Sequence, residues 1–136
     1  MPTDFAPGPA QSADGAPPFA LLDAEKLDCY RLAVEFQALA TRTIPRRSQA
    51  VLRDQLDRAS VSIVLNIAEG AGRVSPADKA RFYAMARGSA TECAAVMDLL
   101  WARGLLDPAL RNRARALLVR IVQMLTRLRA SMVRSQ

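Results

Sequence analysis

The stretch SIVLNIAEGAGR, residues 62–73, decides how the rest of the chain is read. Ile63 and Ile67 continue a stripe begun by Leu52, Leu56 and Ala59, the three-and-four spacing of a helix that buries one side. That spacing predicts a helix from residue 46 or 48 to residue 69, ended by Gly70 and Gly72. The same helix carries Arg58, Ser62, Asn66, Glu69 and Arg73 within about 80° of one another, with Gln55 in the same arc. The core stripe flanks this polar line on one side. Val61 and Leu65, apolar but outside the stripe, flank it on the other. A polar line between two apolar borders is expected to be partly buried against another helix.

Three further helices are predicted around this one. The first spans residues 23 to 42, with Cys29, Leu32, Phe36 and Leu39 at helical spacing, and stops before Ile44-Pro45. The third opens at Ser75-Pro76-Ala77-Asp78, where Ser caps, Pro fits the first helical position and Asp favours the positive helix end. It turns Phe82, Ala86, Cys93, Val96, Met97 and Leu100 inward and stops at Gly104. The fourth starts at Asp107-Pro108 and shows Leu110, Ala114, Leu117, Ile121, Leu125, Leu128 and Met132 in near-heptad order. Four long helices with short turns predict an all-α, antiparallel up-down-up-down four-helix bundle over residues 23–136. Residues 1–22, rich in Pro, Ala and Gly, cannot build a core and are expected to be a disordered N-terminal tail.

Composition narrows the function classes. Apolar residues make up 51% of the chain but aromatics only 5%, which favours helices over sheets. The net charge is +6, yet residues 1–23 hold three Asp and no basic residue. All 19 basic residues therefore face only 10 acidic ones in the folded part, a charge of +9 there. Such a surface attracts nucleic acid, acidic protein or anionic membrane. There is no His, and Cys29 and Cys93 lie far apart inside apolar helical patterns, so a zinc site, a His-containing triad and a ferritin-like di-iron centre are not expected. No metal and no cofactor is expected. No apolar run reaches the roughly 18 residues of a membrane span, and the first twenty residues do not read as a secretion signal, so a cytoplasmic protein without membrane association is expected.

The polar line needs partners. Ala84, Gly88 and Ala95 form a strip of small residues on the third helix, next to Arg81 and Glu92. Gly88 costs about 1 kcal/mol of helix propensity, and close packing against the second helix would account for it. Asn66 and Glu69 are therefore expected to meet Gly88, Ser89 and Glu92, with Arg58, Arg73, Arg81 or Arg87 balancing the carboxylates. Two carboxylates without metal ligands or a nucleophile make poor catalytic candidates, so no catalytic residue and no enzyme activity is expected.

The fourth helix carries seven arginines between Arg111 and Arg134. Arg113, Arg120, Arg127 and Arg134 recur every seven residues, each step climbing about 10.5 Å and drifting about 20°. This straight row of planar, forked donors suits a phosphate backbone, while the absence of interleaved aromatics predicts sequence-tolerant, salt-sensitive binding.

The strings from Gln55 to Ile63 and from Asn66 to Arg73, then Arg81-Phe82, Ala86-Arg87-Gly88-Ser89 and Glu92, resemble the bacterial four-helix bundle protein family. Its members include proteins encoded in intervening sequences of large-subunit ribosomal RNA genes. The likeness is close over the second and third helices and is one of pattern over the first and fourth. Asp57 departs from it, standing where the family usually has a second Arg, as does the Pro-rich tail. The family is related to the accessory variability determinant of diversity-generating retroelements, a basic homopentameric bundle that works with a reverse transcriptase and nucleic acid. The resemblance thus implies a homo-oligomer, a pentamer by analogy, that associates with RNA or DNA and with a reverse transcriptase. The alternative is a protein-interaction scaffold with no nucleic-acid role. Val61 and Leu65, turned away from the core stripe, fit an oligomer on their own account.

Overall fold

The structure is a computed structural model that describes residues 20–43 and 49–135. The expected disordered tail lies outside the described residues as far as residue 19. Four helices follow a 3-10 turn at Ala24–Lys26: α1 (Asp28–Thr43), α2 (Ala50–Gly72), α3 (Pro76–Ala102) and α4 (Pro108–Arg134). No strand occurs among the described residues, so the fold is the expected all-α one.

The starts of α3 and α4 follow local capping chemistry. The Asp78 N–H donates to Ser75 Oγ at 3.1 Å with Pro76 at the first helical position, and the Ala109 and Leu110 N–H groups donate to Asp107 Oδ2 with Pro108 in the same place. Both satisfy N–H groups that the helix itself leaves without partners. Gly104, with φ of 69°, takes the left-handed turn that follows α3.

Side-chain contacts fix the helix directions. Between α2 and α3, Arg103 reaches Gln49, Ser62 meets Ser89, and Lys79 meets the carbonyls of Gly70 and Ala71. The start of one helix thus lies at the end of the other, an antiparallel pair. Arg111 against Trp101 and Arg87 against Thr126 make α3 and α4 antiparallel in the same way. Each helix runs closely beside two others, α1 beside α2 and α4, α3 beside α2 and α4, with no close backbone approach across either diagonal. That square arrangement is the one expected of an up-down-up-down bundle.

Three sequence expectations are corrected. The first helix does not run unbroken from residue 23: Leu27 is extended and separates the 3-10 turn from α1. The second begins at Ala50, after a left-handed Gln49, and passes through Gly70 to end at Gly72. Phe82 is only half-buried, and Tyr83 takes the core position assigned to it. The last two share a cause. A Cβ on Gly70 would lie 2.8 Å from Tyr83 Cε1 and 3.1 Å from Phe82 Cβ, so the missing side chain admits the Tyr83 ring. Gly70 is therefore a packing residue inside the helix.

The core joins Phe36 of α1, Leu56, Ile63 and Ile67 of α2, Cys93 and Leu100 of α3, and Ile121 and Leu125 of α4, all fully buried. Gly70→Ala should gain helix propensity of about 1 kcal/mol yet lower stability overall by about 1–3 kcal/mol, because the added Cβ would overlap the buried Tyr83 ring and press on Phe82 Cβ. At Gly88 a Cβ would meet nothing within 4 Å, so Gly88→Ala should raise stability by about 0.5–1 kcal/mol. Urea titrations of the two variants measure both signs.

Burial raises the thiols of Cys29 and Cys93. Desolvation, helped by nearby Glu92, pushes Cys93 up to about 12, and desolvation raises Cys29. A thiol raised on folding contributes stability that is fully present below the ordinary thiol range, near pH 9.0, and is lost as pH climbs toward 12. The melting temperature should accordingly be flat at neutral pH and fall from about pH 9. A thiol-reactive dye should label both cysteines only as fast as the chain opens.

Candidate nucleic-acid interface

α4 carries seven arginines and no Asp or Glu, because its apolar stripe uses one side and every charged position on the remainder is basic. The expected row Arg113, Arg120, Arg127 and Arg134 is exposed throughout. Its first member turns toward α1, where Arg113 Nη2 lies 3.5 Å from Glu35 Oε1. That contact partly neutralises Arg113. Arg120, Arg127 and Arg134 have no carboxylate within ion-pair distance among the described residues.

A second set of arginines lies on the α3 side of α4, and the seven-residue repeat does not reveal it. Arg111 stacks over Trp101 at 4.4 Å from the ring centre, and Arg115 lines the same groove with Asp98 opposite. The floor there is apolar, made by Ala94, Met97, Leu118, Val119 and Val122. Further along, Arg87 of α3 and Arg129 of α4 line one groove with Ala84 and Thr126. The signal for this set was available in the sequence. Arg111, Arg115 and Arg129 lie within about 40° of one another on the helix circumference.

The polar line of α2 divides in two. Its centre is half-buried against α3: Ser62 Oγ lies 2.8 Å from Ser89 Oγ, and Asn66 Nδ2 donates to both the carbonyl and the hydroxyl of Ser62. Its ends are exposed. Glu69 pairs with Arg73 on its own helix at 3.5 Å, and Arg73 and Arg81 both lie 4.9 Å from the Phe82 ring centre. Arg58 and Glu92 are exposed without an ion pair among the described residues. Arg87 turns away from α2 and donates Nε to Thr126 Oγ1 on α4 at 2.8 Å. Of the expected meeting of Asn66 and Glu69 with Gly88, Ser89 and Glu92, the structure has Ser89, reached by Ser62 with Asn66 bonded behind it, while Glu69 turns to Arg73 and has no bond to Glu92. The close approach of the two helices is at Gly70, and Gly88 is exposed.

Three features of this region escape helical periodicity. Lys79 Nζ closes the end of α2 by donating to the Gly70 and Ala71 carbonyls at 3.2 and 2.8 Å, where a cation is favoured. Ser60 is fully buried and donates to the Asp57 carbonyl within its own helix. Glu35, which neutralises Arg113, sits on a different helix altogether.

The motif residues on α2 and α3 thus form a coherent helix pair, and the basic surface belongs to α4. The family model described as 23S rRNA-intervening sequence protein matches residues 25–127. The chain belongs to the 23S rRNA-intervening sequence protein family. The match takes in α1, α2 and α3 whole and most of α4, including Arg113, Arg120 and Arg127, and it leaves the Pro-rich N-terminal segment outside. No curated protein matches the chain. Among the described residues, no three Cys, Asp or Glu side chains gather as a metal site would need, and no helix is long and apolar enough to cross a membrane.

Proposed function

We propose that this intervening-sequence family protein is a non-enzymatic, cytoplasmic homo-oligomer that associates with nucleic acid, or with an enzyme acting on nucleic acid, through the arginine-rich exterior of α4. The observation that carries the reading is the charge of that helix: seven guanidinium groups, no carboxylate and, among the described residues, one ion pair, Arg113 with Glu35. A rod of this kind attracts a polyanion along its whole length, and each phosphate it meets releases counterions. Arg provides forked donors that match phosphate oxygens. By likeness to the retroelement accessory protein, the partner enzyme is a reverse transcriptase and the oligomer a pentamer.

The oligomer has its own support on the opposite side of the bundle. Val61 and Leu65 on α2 and Met85 and Leu99 on α3 are exposed, Leu65 to 61%. Joining copies through this α2–α3 face would bury them and leave α4 outward for the polyanion. Light scattering checks the assembly. Mobility shift with RNA and DNA across a salt titration checks the association, which should weaken steeply as salt rises. Affinity independent of salt would favour a scaffold whose arginines meet protein.

A further inference from the structure

Arg87 of α3 and Arg129 of α4 border a groove of about 290 Å³ that is otherwise lined by Ala84 and Thr126. None of the four is acidic. The Thr126 hydroxyl donates to the Val122 carbonyl at 2.7 Å, which fixes its proton and leaves its oxygen free to accept from Arg87 Nε at 2.8 Å. This relay holds the Arg87 guanidinium by one edge. Its other edge has no carboxylate within ion-pair distance among the described residues, and the same is true of Arg129.

The surrounding acids are elsewhere. α4 has none. On α3, Asp78 lies beside Arg81, Glu92 is about 140° around the helix from Arg87, and Asp98 is about 16 Å along the axis. Two guanidinium groups on adjacent helices thus face one gap without compensation, an arrangement that an anion between them would relieve. A planar carboxylate offers one bidentate edge, whereas a tetrahedral phosphate presents several such edges in different directions and can meet forks arriving from two helices. Ala84, the smallest side chain in the lining, leaves the space between them open.

We propose that Arg87, Thr126 and Arg129 form a phosphate clamp, with Arg87 held in register by Thr126 and Arg129 closing from the other helix. The anion chemistry follows from these three residues alone. That the phosphate belongs to nucleic acid rests on the function proposed above. The clamp is separate from the Arg120, Arg127 and Arg134 row, which turns toward the α1 side of α4.

The test uses the full chain with its arginine Nε–Hε groups observed by NMR, the Arg87 signal assigned through Arg87→Lys. Inorganic phosphate, with chloride at equal ionic strength as reference, should shift the Arg87 and Arg129 signals saturably, at millimolar concentration. Arg129→Gln should weaken this about tenfold, and Thr126→Val, which removes the relay without changing charge, several-fold. Oligonucleotides with a 5′-phosphate or a 5′-hydroxyl distinguish the source: equal shifts identify an internal phosphodiester, and shifts with the first alone identify a terminal phosphate. Saturation by phosphate with no effect of either oligonucleotide on these two signals would uphold the clamp and show that its phosphate is not that of nucleic acid. Phosphate shifts no different from chloride, or phosphate affinity unchanged by Thr126→Val, would overturn the clamp even where nucleic acid binds through the other row.

Discussion

Phe36→Ala is expected to lower the stability of the bundle by about 3–5 kcal/mol, a large share of the roughly 5–15 kcal/mol that holds a domain of this size together. Phe36 is completely buried, while the other aromatic of α1, Tyr30, packs on the core only partly buried; the other buried residues of the helix are Cys29, Ala33, Leu39 and Ala40. α1 is also the shortest of the four helices, with 16 residues against 23 or 27. Removing its anchor leaves a cavity between α2 and α4 that small neighbours cannot fill. The measurement is urea unfolding followed by far-ultraviolet circular dichroism and by fluorescence of Trp101, the single tryptophan. Trp101 sits at the far end of α3 under Arg111 and reports on the α3–α4 pair. Coincident transitions in the variant would mean that α1 and the other helices still unfold as one unit. Dichroism falling before fluorescence would mean that α1 detaches first. A drop of under about 1 kcal/mol would contradict the central place of Phe36 in the core.

The starts of α3 and α4 were legible because their causes are local, whereas α2 begins after Gln49, which makes no side-chain cap. Ser75 and Asp107 cap the next turn with their own side chains, and Pro76 and Pro108 sit where a missing N–H costs nothing. The aliphatic stripes of α2 and α4 were legible for the same reason, since periodicity along one helix specifies which side is buried. What depended on two helices at once was not. Phe82 and Tyr83 are only about 100° apart on the circumference, and which of them enters the core is settled by the gap at Gly70 on another helix. As sequence Gly70 reads as a stop and Gly88 as a packing site, and the neighbours reverse this, Gly70 packing on Tyr83 and Gly88 on nothing. Their roles separated only when their neighbours were known.

The candidate interface follows the same division. That α4 is basic, exposed and free of carboxylates can be counted from its residues. Which arginines remain uncompensated requires the helices beside it, because Glu35 reaches Arg113 from α1 and Arg87 reaches Thr126 from α3. A seven-residue repeat of arginine selected one row of four and passed over Arg115 and Arg129, which stand two heptads apart with Val122, not an arginine, between them.

Reversing Arg120 and Arg127 together, each to Glu, is expected to reduce affinity for RNA or DNA by about 100-fold or more at moderate salt, and to make the remaining binding less salt-sensitive by about two counterions per chain. The size follows from counterion release: every phosphate that the protein no longer neutralises weakens binding nearly tenfold at about 0.1 M salt. New carboxylates add repulsion to this effect, and an oligomer repeats it in every copy. Both positions are exposed and unpaired, so circular dichroism and melting should change little. Arg113→Glu supplies the contrast. It sets a second carboxylate against Glu35, so its effect should fall more on stability and less on binding than reversal of either other arginine. Fluorescence anisotropy of labelled oligonucleotides between about 50 and 200 mM salt measures all three proteins on one scale. If the double reversal left both affinity and salt slope unchanged, the α1-side row would not meet the polyanion, and sensitivity confined to Arg87 and Arg129 variants would move it to the α3 side of the same helix.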